Sequence, residues 1–390
     1  MASTNYKALE KQYQKELFGS VVPFWEKYSI DTEMGGYFSC LDRDGRVYDT
    51  DKFIWLQARE VWTFSMLYNK YEKNSKWLEL AKHGIDFLRK YGRDQAGNWY
   101  FALRRDGAPL VQPYNIFSDC FAALAFGEYS LATGDEECKD ISLKTYNNIL
   151  KRADNPKGKY TKTIGVNRPL KSFSLPMILA NLTLELKWMF GDDAFISHSK
   201  SFLSEIMDSF LDKEKLIVKE NVLLSGEPLD SFEGRLVNPG HGIEGMSFVM
   251  DVANELGDKV MIKKAVEVVL STLEFSWDEK YGGIFYFMDS MGKPPLQLEW
   301  DQKLWWVHLE TLVALLKGYH FTHDIRCLKW YEKVHNYSWG HFPDVKYGEW
   351  FGYLNRQGDP LLYIKGGKWK GFFHVPRSLF ISYQLLKKIR

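Results

Sequence analysis

Two kinds of hydrophobic pattern alternate along the chain. Over residues 76–90, Leu78, Ala81, Ile85 and Leu88 form an apolar stripe opposite Glu79, Lys82, Asp86 and Arg89, which predicts a helix with one wet face. Residues 61–68 (VWTFSMLY) are apolar on nearly every side, as a helix buried all round requires. Leu379, Phe380, Tyr383 and Leu386 keep helical spacing. That stripe carries no polar cap of the kind that ends an open solenoid, which favours a closed ring.

Between the helices lie short strand-like segments, and they repeat. Gly35-Gly36-Tyr37-Phe38 followed by Asp42 and Gly45 aligns with Gly282-Gly283-Ile284-Phe285 followed by Asp289 and Gly292. Downstream, KFIWLQAR (52–59) aligns with KLWWVHLE (303–310), and GNWYFALRRDGAPL from Gly97 aligns with GEWFGYLNRQGDPL from Gly348. Each copy places Gly before an aromatic pair and a turn Gly about ten residues later, the signature of a β-hairpin. Weaker copies fall near 160 (KYTKTIGVNRPL) and 217 (IVKENVLLSGEPL). Six units of about 65 residues account for the whole chain. The pattern therefore predicts one domain over 1–390, an all-α (α/α)6 barrel with hairpins lining one mouth.

Composition narrows the function. Fifty-one Lys+Arg against 50 Asp+Glu leave a net charge of +1, which argues against a polyanionic partner. No run reaches the ~18 apolar residues of a membrane helix, and residues 1–14 contain no apolar core of a secretory signal. Four cysteines without CxxC or zinc spacing fit a reducing cytosol. Aromatic residues make up 16% of the chain; flat rings fill cores and also stack on sugar rings. Dinucleotide, phosphate-loop and HExxH motifs are absent, so neither NAD nor a metal is expected. One segment is strongly basic: residues 151–171 hold seven Lys/Arg against Asp154 alone, with Lys157, Lys159 and Lys162 interspersed with Gly and Pro.

Chemistry is expected where a hairpin runs into a buried helix, because polar side chains there face the mouth. The candidates are Arg59, Asp119, His241 with Glu244, His308 with Glu310, and His374 with Arg377. His241 follows Pro239 and Gly240 on a tight turn, and Glu244 stands three residues on, close enough to orient it. His374 precedes Pro376, a first-turn residue. Two histidines at equivalent junctions of distant units form the strongest constellation. The other histidines, including His83 and His335, are expected to be solvated.

Together, GGYF…D-x-x-G, the Trp55/Gln57/Arg59 run, NPGH-x-x-E (238–244), residues 303–310 and HVPR (374–377) resemble the N-acylglucosamine 2-epimerase family over essentially the whole length. The resemblance implies the same (α/α)6 barrel and an isomerase interconverting N-acetylglucosamine and N-acetylmannosamine. It implies a cytoplasmic homodimer stimulated by ATP that is not consumed, and the basic segment is the candidate contact. In this reading His241 and His374 exchange a proton at C2 of the opened sugar. Arg59 or Arg377 stabilises O1, Glu244 holds His241, and Glu310 contacts a hydroxyl or assists ring opening. Tyr114, Arg235 and Trp306 are the expected sugar contacts. The family also holds cellobiose 2-epimerases and aldose–ketose isomerases, which carry a further histidine on the third barrel-lining helix. This chain instead has Ser174-Leu175-Pro176-Met177 with Asn181, similar to the N-acylglucosamine branch. A glycoside hydrolase using paired carboxylates from Asp119, Glu244 and Glu310, and a non-catalytic binding protein, are the readings from other classes.

Overall fold

A computed structural model describes residues 5–161, 164 and 166–389. The chain enters through α1 (Tyr6–Glu16) and α2 (Val22–Tyr28), joined by a π turn over Leu17–Val21. It continues through α3 (Ile54–Lys70), α4 (Ser75–Tyr91), α5 (Ile116–Thr133), α6 (Glu136–Arg152), α7 (Ser174–Phe190) and α8 (Ala194–Glu205). The last third holds α9 (Pro239–Glu255), α10 (Lys259–Ser276), α11 (Trp305–Thr322), α12 (Ile325–His341) and α13 (His374–Ile389).

The two hydrophobic patterns sort these helices into two rings. In α3 an unbroken run from Leu56 to Leu67 is buried, polar residues included, whereas α4 buries only the stripe of Trp77, Ala81, Gly84, Ile85, Phe87 and Leu88. Helices α3, α5, α7, α9, α11 and α13 pack side by side as the inner ring, and α4, α6, α8, α10 and α12 each back an inner helix. Helix α1 backs α13. The ring closes where the Thr63 hydroxyl donates to the Phe372 carbonyl at 2.7 Å. The expected (α/α)6 barrel is the observed fold. Outer helices begin with side-chain caps: Asn74, Asp135, Asp258 and Asp324 each accept a backbone N–H from the first turn.

The hairpins gather at the N-terminal ends of the inner helices. Lys52–Phe53 pairs with Ala102–Leu103, which pairs with Pro109–Val111; Lys303–Leu304, Tyr353–Leu354 and Pro360–Leu362 repeat that sheet in the same registers. Buried ion clusters tie the mouth loops down. Asp31 is gripped by Lys52 and Arg105 (both 2.9 Å), and Asp278 by Lys303 at 3.3 Å and Arg356 at 2.8 Å. Asp344 is gripped by Lys365 at 2.9 Å and Arg43 at 2.7 Å. Charges this deep persist because they are paired.

Two expectations need correction. The weak unit near 160 is no hairpin of its own: Gly158–Tyr160 is a 3-10 turn, and Leu170–Ser172 pairs with Asn221–Leu223 of the next unit. Nor are all remaining histidines solvated. His335 is buried with Nδ1 3.0 Å from the Tyr13 hydroxyl, and burial pushes its pKa down to about 4. His83 hydrogen-bonds the carbonyls of Asp31 and Gly36, so it braces a mouth loop.

Candidate active site

A cavity of about 580 Å³ opens among the N-terminal ends of the inner helices. Helix starts place its histidines. Asn238 caps α9, its Oδ1 accepting the backbone N–H of His241 at 3.1 Å, and Pro239 presets the first turn. Gly240 has no substitute here, since a Cβ would lie 2.7 Å from Val307 and 2.8 Å from the Trp306 indole. Trp306 can therefore lie against α9. Its ring centroid is 5.2 Å from the His241 imidazole and 5.8 Å from that of His374, the first residue of α13. Two imidazoles from distant units thus flank one indole in one cavity.

Their electrostatic settings differ. His241 Nδ1 donates to Glu220, 3.1 Å from each carboxylate oxygen. Burial disfavours the imidazolium, but the Glu220 carboxylate outweighs it, with Glu244 adding to the effect, and the His241 pKa is raised. His374 Nδ1 donates to Glu310 Oε1 at 2.8 Å. There burial, reinforced by Arg59 and Arg377, prevails over that bond and pushes the pKa down to about 4. The two imidazoles are thus pushed in opposite directions, His241 toward its cation and His374 toward its neutral form.

Three further charges complete the site. Glu310 is fully buried and accepts from Arg377 at 2.9 and 2.7 Å and from the Ser378 hydroxyl at 3.2 Å, besides His374. Burial alone would raise its pKa, yet Arg377 and His374 hold it low. Glu244 sits beside this cluster, and burial together with the negative Glu310 raises its pKa. Arg59 is sandwiched by Phe121 (3.9 Å), Trp55 (4.4 Å) and Phe373 (4.6 Å), and its buried Nε has no hydrogen-bond partner among the described residues. Burial lowers its pKa to about 9, which still leaves a cation at neutral pH. Ligand atoms of Glu244, Glu310 and His374 lie within 4.8 Å of one another, a spacing that would suit a metal ion. The Arg377 guanidinium already fills the cationic place on Glu310.

Residues 36–378 match the N-acylglucosamine 2-epimerase (GlcNAc 2-epimerase) family. The chain belongs to this family. It is 37% identical over 376 residues to the Bos taurus N-acylglucosamine 2-epimerase, covering 95% of this chain and 89% of that one. To the Homo sapiens N-acylglucosamine 2-epimerase it is 35% identical over 382 residues, covering 94% and 87%. Its fold is similar to that of cellobiose 2-epimerase from Bacillus thermoamylovorans, with TM-score 0.84 at 21% identity over 97% of this chain and 99% of that one. The protein is an isomerase of the epimerase type.

The cavity is lined by Arg59, His241, Glu244, Trp306, His374 and Arg377 among others, and Glu310 stands behind the last two. Other expected residues lie elsewhere. Asp119 faces outward to an ion pair with Arg152 on α6, and burial raises its pKa to about 7. His308 is a core residue: Nδ1 donates to the Leu304 carbonyl at 2.8 Å, Nε2 accepts from the Ile284 N–H at 3.0 Å, and burial lowers its pKa to about 3. Arg235 pairs with Asp289 at 2.9 Å and with Asp230, and Tyr114 packs on Phe101 at 5.2 Å; neither lines the cavity. Lys157 and Lys159 are exposed, and Lys162 lies outside the described residues. The partner of His241 is Glu220, not Glu244. Glu220 carries little sequence signal: it sits in the weak hairpin unit, where only the alternation of Val218, Glu220 and Val222 in IVKENVLL points it inward. Asp119 lies outside the cavity, and Glu244 and Glu310 are within 4.8 Å of each other, closer than the roughly 6.5–9.5 Å spacing of an inverting hydrolase.

Proposed function

We propose that the protein interconverts N-acetyl-D-glucosamine and N-acetyl-D-mannosamine by moving a proton off and onto C2 of the ring-opened sugar. The observation that carries this reading is the pair of oppositely poised imidazoles flanking Trp306 in one cavity. Opening the ring exposes C1 as an aldehyde, which acidifies the C2 proton. Neutral His374 takes that proton through Nε2, since Nδ1 is engaged by Glu310. The electron pair moves into a C1–C2 double bond, and negative charge collects on O1. The Arg59 cation, held by three aromatic faces with Nε unpartnered, supplies fixed compensation for it. Protonated His241 then delivers its proton to the opposite face of C2. The reverse direction starts from the form in which the proton has changed rings.

Solvent exchange tests the reading. In deuterated water each epimer is expected to produce its partner with deuterium at C2, followed by proton NMR. Unlabelled product would point to direct hydride chemistry and sink the proposal.

The ionisation of the pair sets a second expectation. Turnover needs one proton on the pair, so kcat/KM falls on the alkaline side once His241 loses its proton. Glu220 raises that pKa, so Glu220→Gln moves the alkaline limb to lower pH, read from a kcat/KM profile. An unmoved limb would show that another group titrates there.

The reading extends to ATP, a non-consumed activator held by Lys157, Lys159 and Lys162. The concentration of positive charge in residues 151–171 supports this. Neutralising all three is expected to abolish stimulation by ATP while basal epimerisation persists, and unchanged stimulation would refute the assignment. The enzyme on this reading works as a cytoplasmic homodimer, and its four buried, unpaired cysteines fit a reducing compartment.

A further inference from the structure

The cavity has two chemically distinct walls. One carries Arg59 from α3, His241 and Glu244 from α9, and His374 and Arg377 from α13, with Glu310 of α11 behind them. The wall built by α5 and α7 has none: it presents Asn115, Phe117 and Phe121, then Ser174, Met177, Ile178 and Asn181. The four α7 residues are spaced i, i+3, i+4 and i+7, a single helical stripe turned to the cavity.

Two of the three small polar groups on this wall are already engaged. Asn115 Oδ1 accepts the Phe117 N–H at 3.0 Å, and the Ser174 hydroxyl is 3.0 Å from that of Ser172. The Asn181 carboxamide makes no hydrogen bond to the described residues, although it lies about 10 Å down α7 from the mouth. Close packing brings this stripe to the catalytic wall. A Cβ on Gly245 would fall 2.5 Å from Phe173 and 3.4 Å from Met177, so α7 meets α9 beside Glu244.

We propose that Asn181, with Met177 and Ile178, forms the subsite that recognises the N-acyl group of the substrate. The inference rests on the epimerase reading above. A secondary amide on C2 offers one N–H, one carbonyl and a small apolar tail. An unpartnered carboxamide matches the first two with its own carbonyl and NH2, and the two aliphatic side chains cover the third. A neutral wall also keeps the substituent from competing with the charged groups that serve C2. The Asn181 amide left facing an unacylated sugar has no partner, which is the basis of discrimination.

The test compares N-acetylmannosamine with mannose by calorimetric binding and by C2 exchange in deuterated water. Wild-type protein should bind the acylated sugar more tightly. Asn181→Leu, of similar volume, should weaken it about tenfold and leave mannose binding unchanged. Asn181→Asp, which keeps the shape and places an anion at the amide, should do the same and guards against a packing artefact in the first variant. Equal losses for both sugars, or none, would overturn the subsite, as would wild-type protein that binds the two sugars alike. Binding preference intact but no C2 exchange would instead strike the two-histidine reading and leave the subsite standing.

Discussion

His241→Asn and His374→Asn should each abolish net epimerisation, lowering kcat by about 10²–10⁴, the usual worth of a placed acid or base. The informative result lies in what survives. With one imidazole removed, the other still faces one side of C2, so it can take a proton and return one to the same side. Each variant should then exchange C2 hydrogen of a single epimer without inverting it, and the two variants should exchange opposite epimers. For His374→Asn the measurement belongs above the raised pKa of His241, where that ring can act as a base. Proton NMR of both sugars in deuterated water reads this directly. Exchange of the same epimer by both variants would mean that the rings do not face opposite sides of one carbon. Asn is the right replacement because both histidines are anchored through Nδ1, to Glu220 and Glu310, and a carboxamide keeps a donor there.

Much of this was legible in the sequence, for identifiable reasons. The strong hairpins announce themselves because their turns need glycine: Gly35, Gly97, Gly282 and Gly348 all have φ between 76° and 83°. Those four turns and the spacing between them, about one unit length or a multiple of it, point to six units and a ring. The histidine pair was visible because capping residues and prolines mark helix starts locally. Side-chain direction was less legible. The His-x-x-Glu spacing suggests a contact along α9, but His241 turns across to Glu220 in the bend before Asn221–Leu223, and Glu244 faces the Glu310 cluster instead. Arg59 is the sixth residue of α3 and Asp119 the fourth of α5; that offset of two positions, about 200° around the helix axis, turns one to the cavity and the other to Arg152. His308 aligns with Gln57, and both do the same job. Gln57 clasps the Tyr37 N–H and carbonyl, both at 2.8 Å, while His308 takes the Ile284 N–H. The repeat alignment held that clue, since a polar residue shared by two copies is more readily a brace for the hairpin than a catalyst peculiar to one.

Glu310 should prove the most sensitive position for stability and turnover together. Its two oxygens serve His374, Arg377 and Ser378 with no exposure to solvent. Glu310→Gln keeps the volume but removes the charge, leaving Arg377 buried without its counter-ion, a loss of about 3–5 kcal/mol. It also offers an NH2 to His374 Nδ1. If the ring answers by moving its proton to Nε2, the base loses the lone pair that faces the sugar, and kcat should fall by a factor on the order of 10³–10⁴. Glu244→Gln is the control for stability, since that carboxyl makes no direct salt bridge among the described residues and burial with the neighbouring Glu310 pushes it toward its uncharged form. Denaturant midpoints should therefore separate the two variants widely, with Glu244→Gln close to wild type. Similar midpoints would show that the Glu310–Arg377 pair is not what holds α11 to α13. A stable Glu310→Gln with wild-type kcat would show that His374 needs no carboxylate to keep its proton on Nδ1.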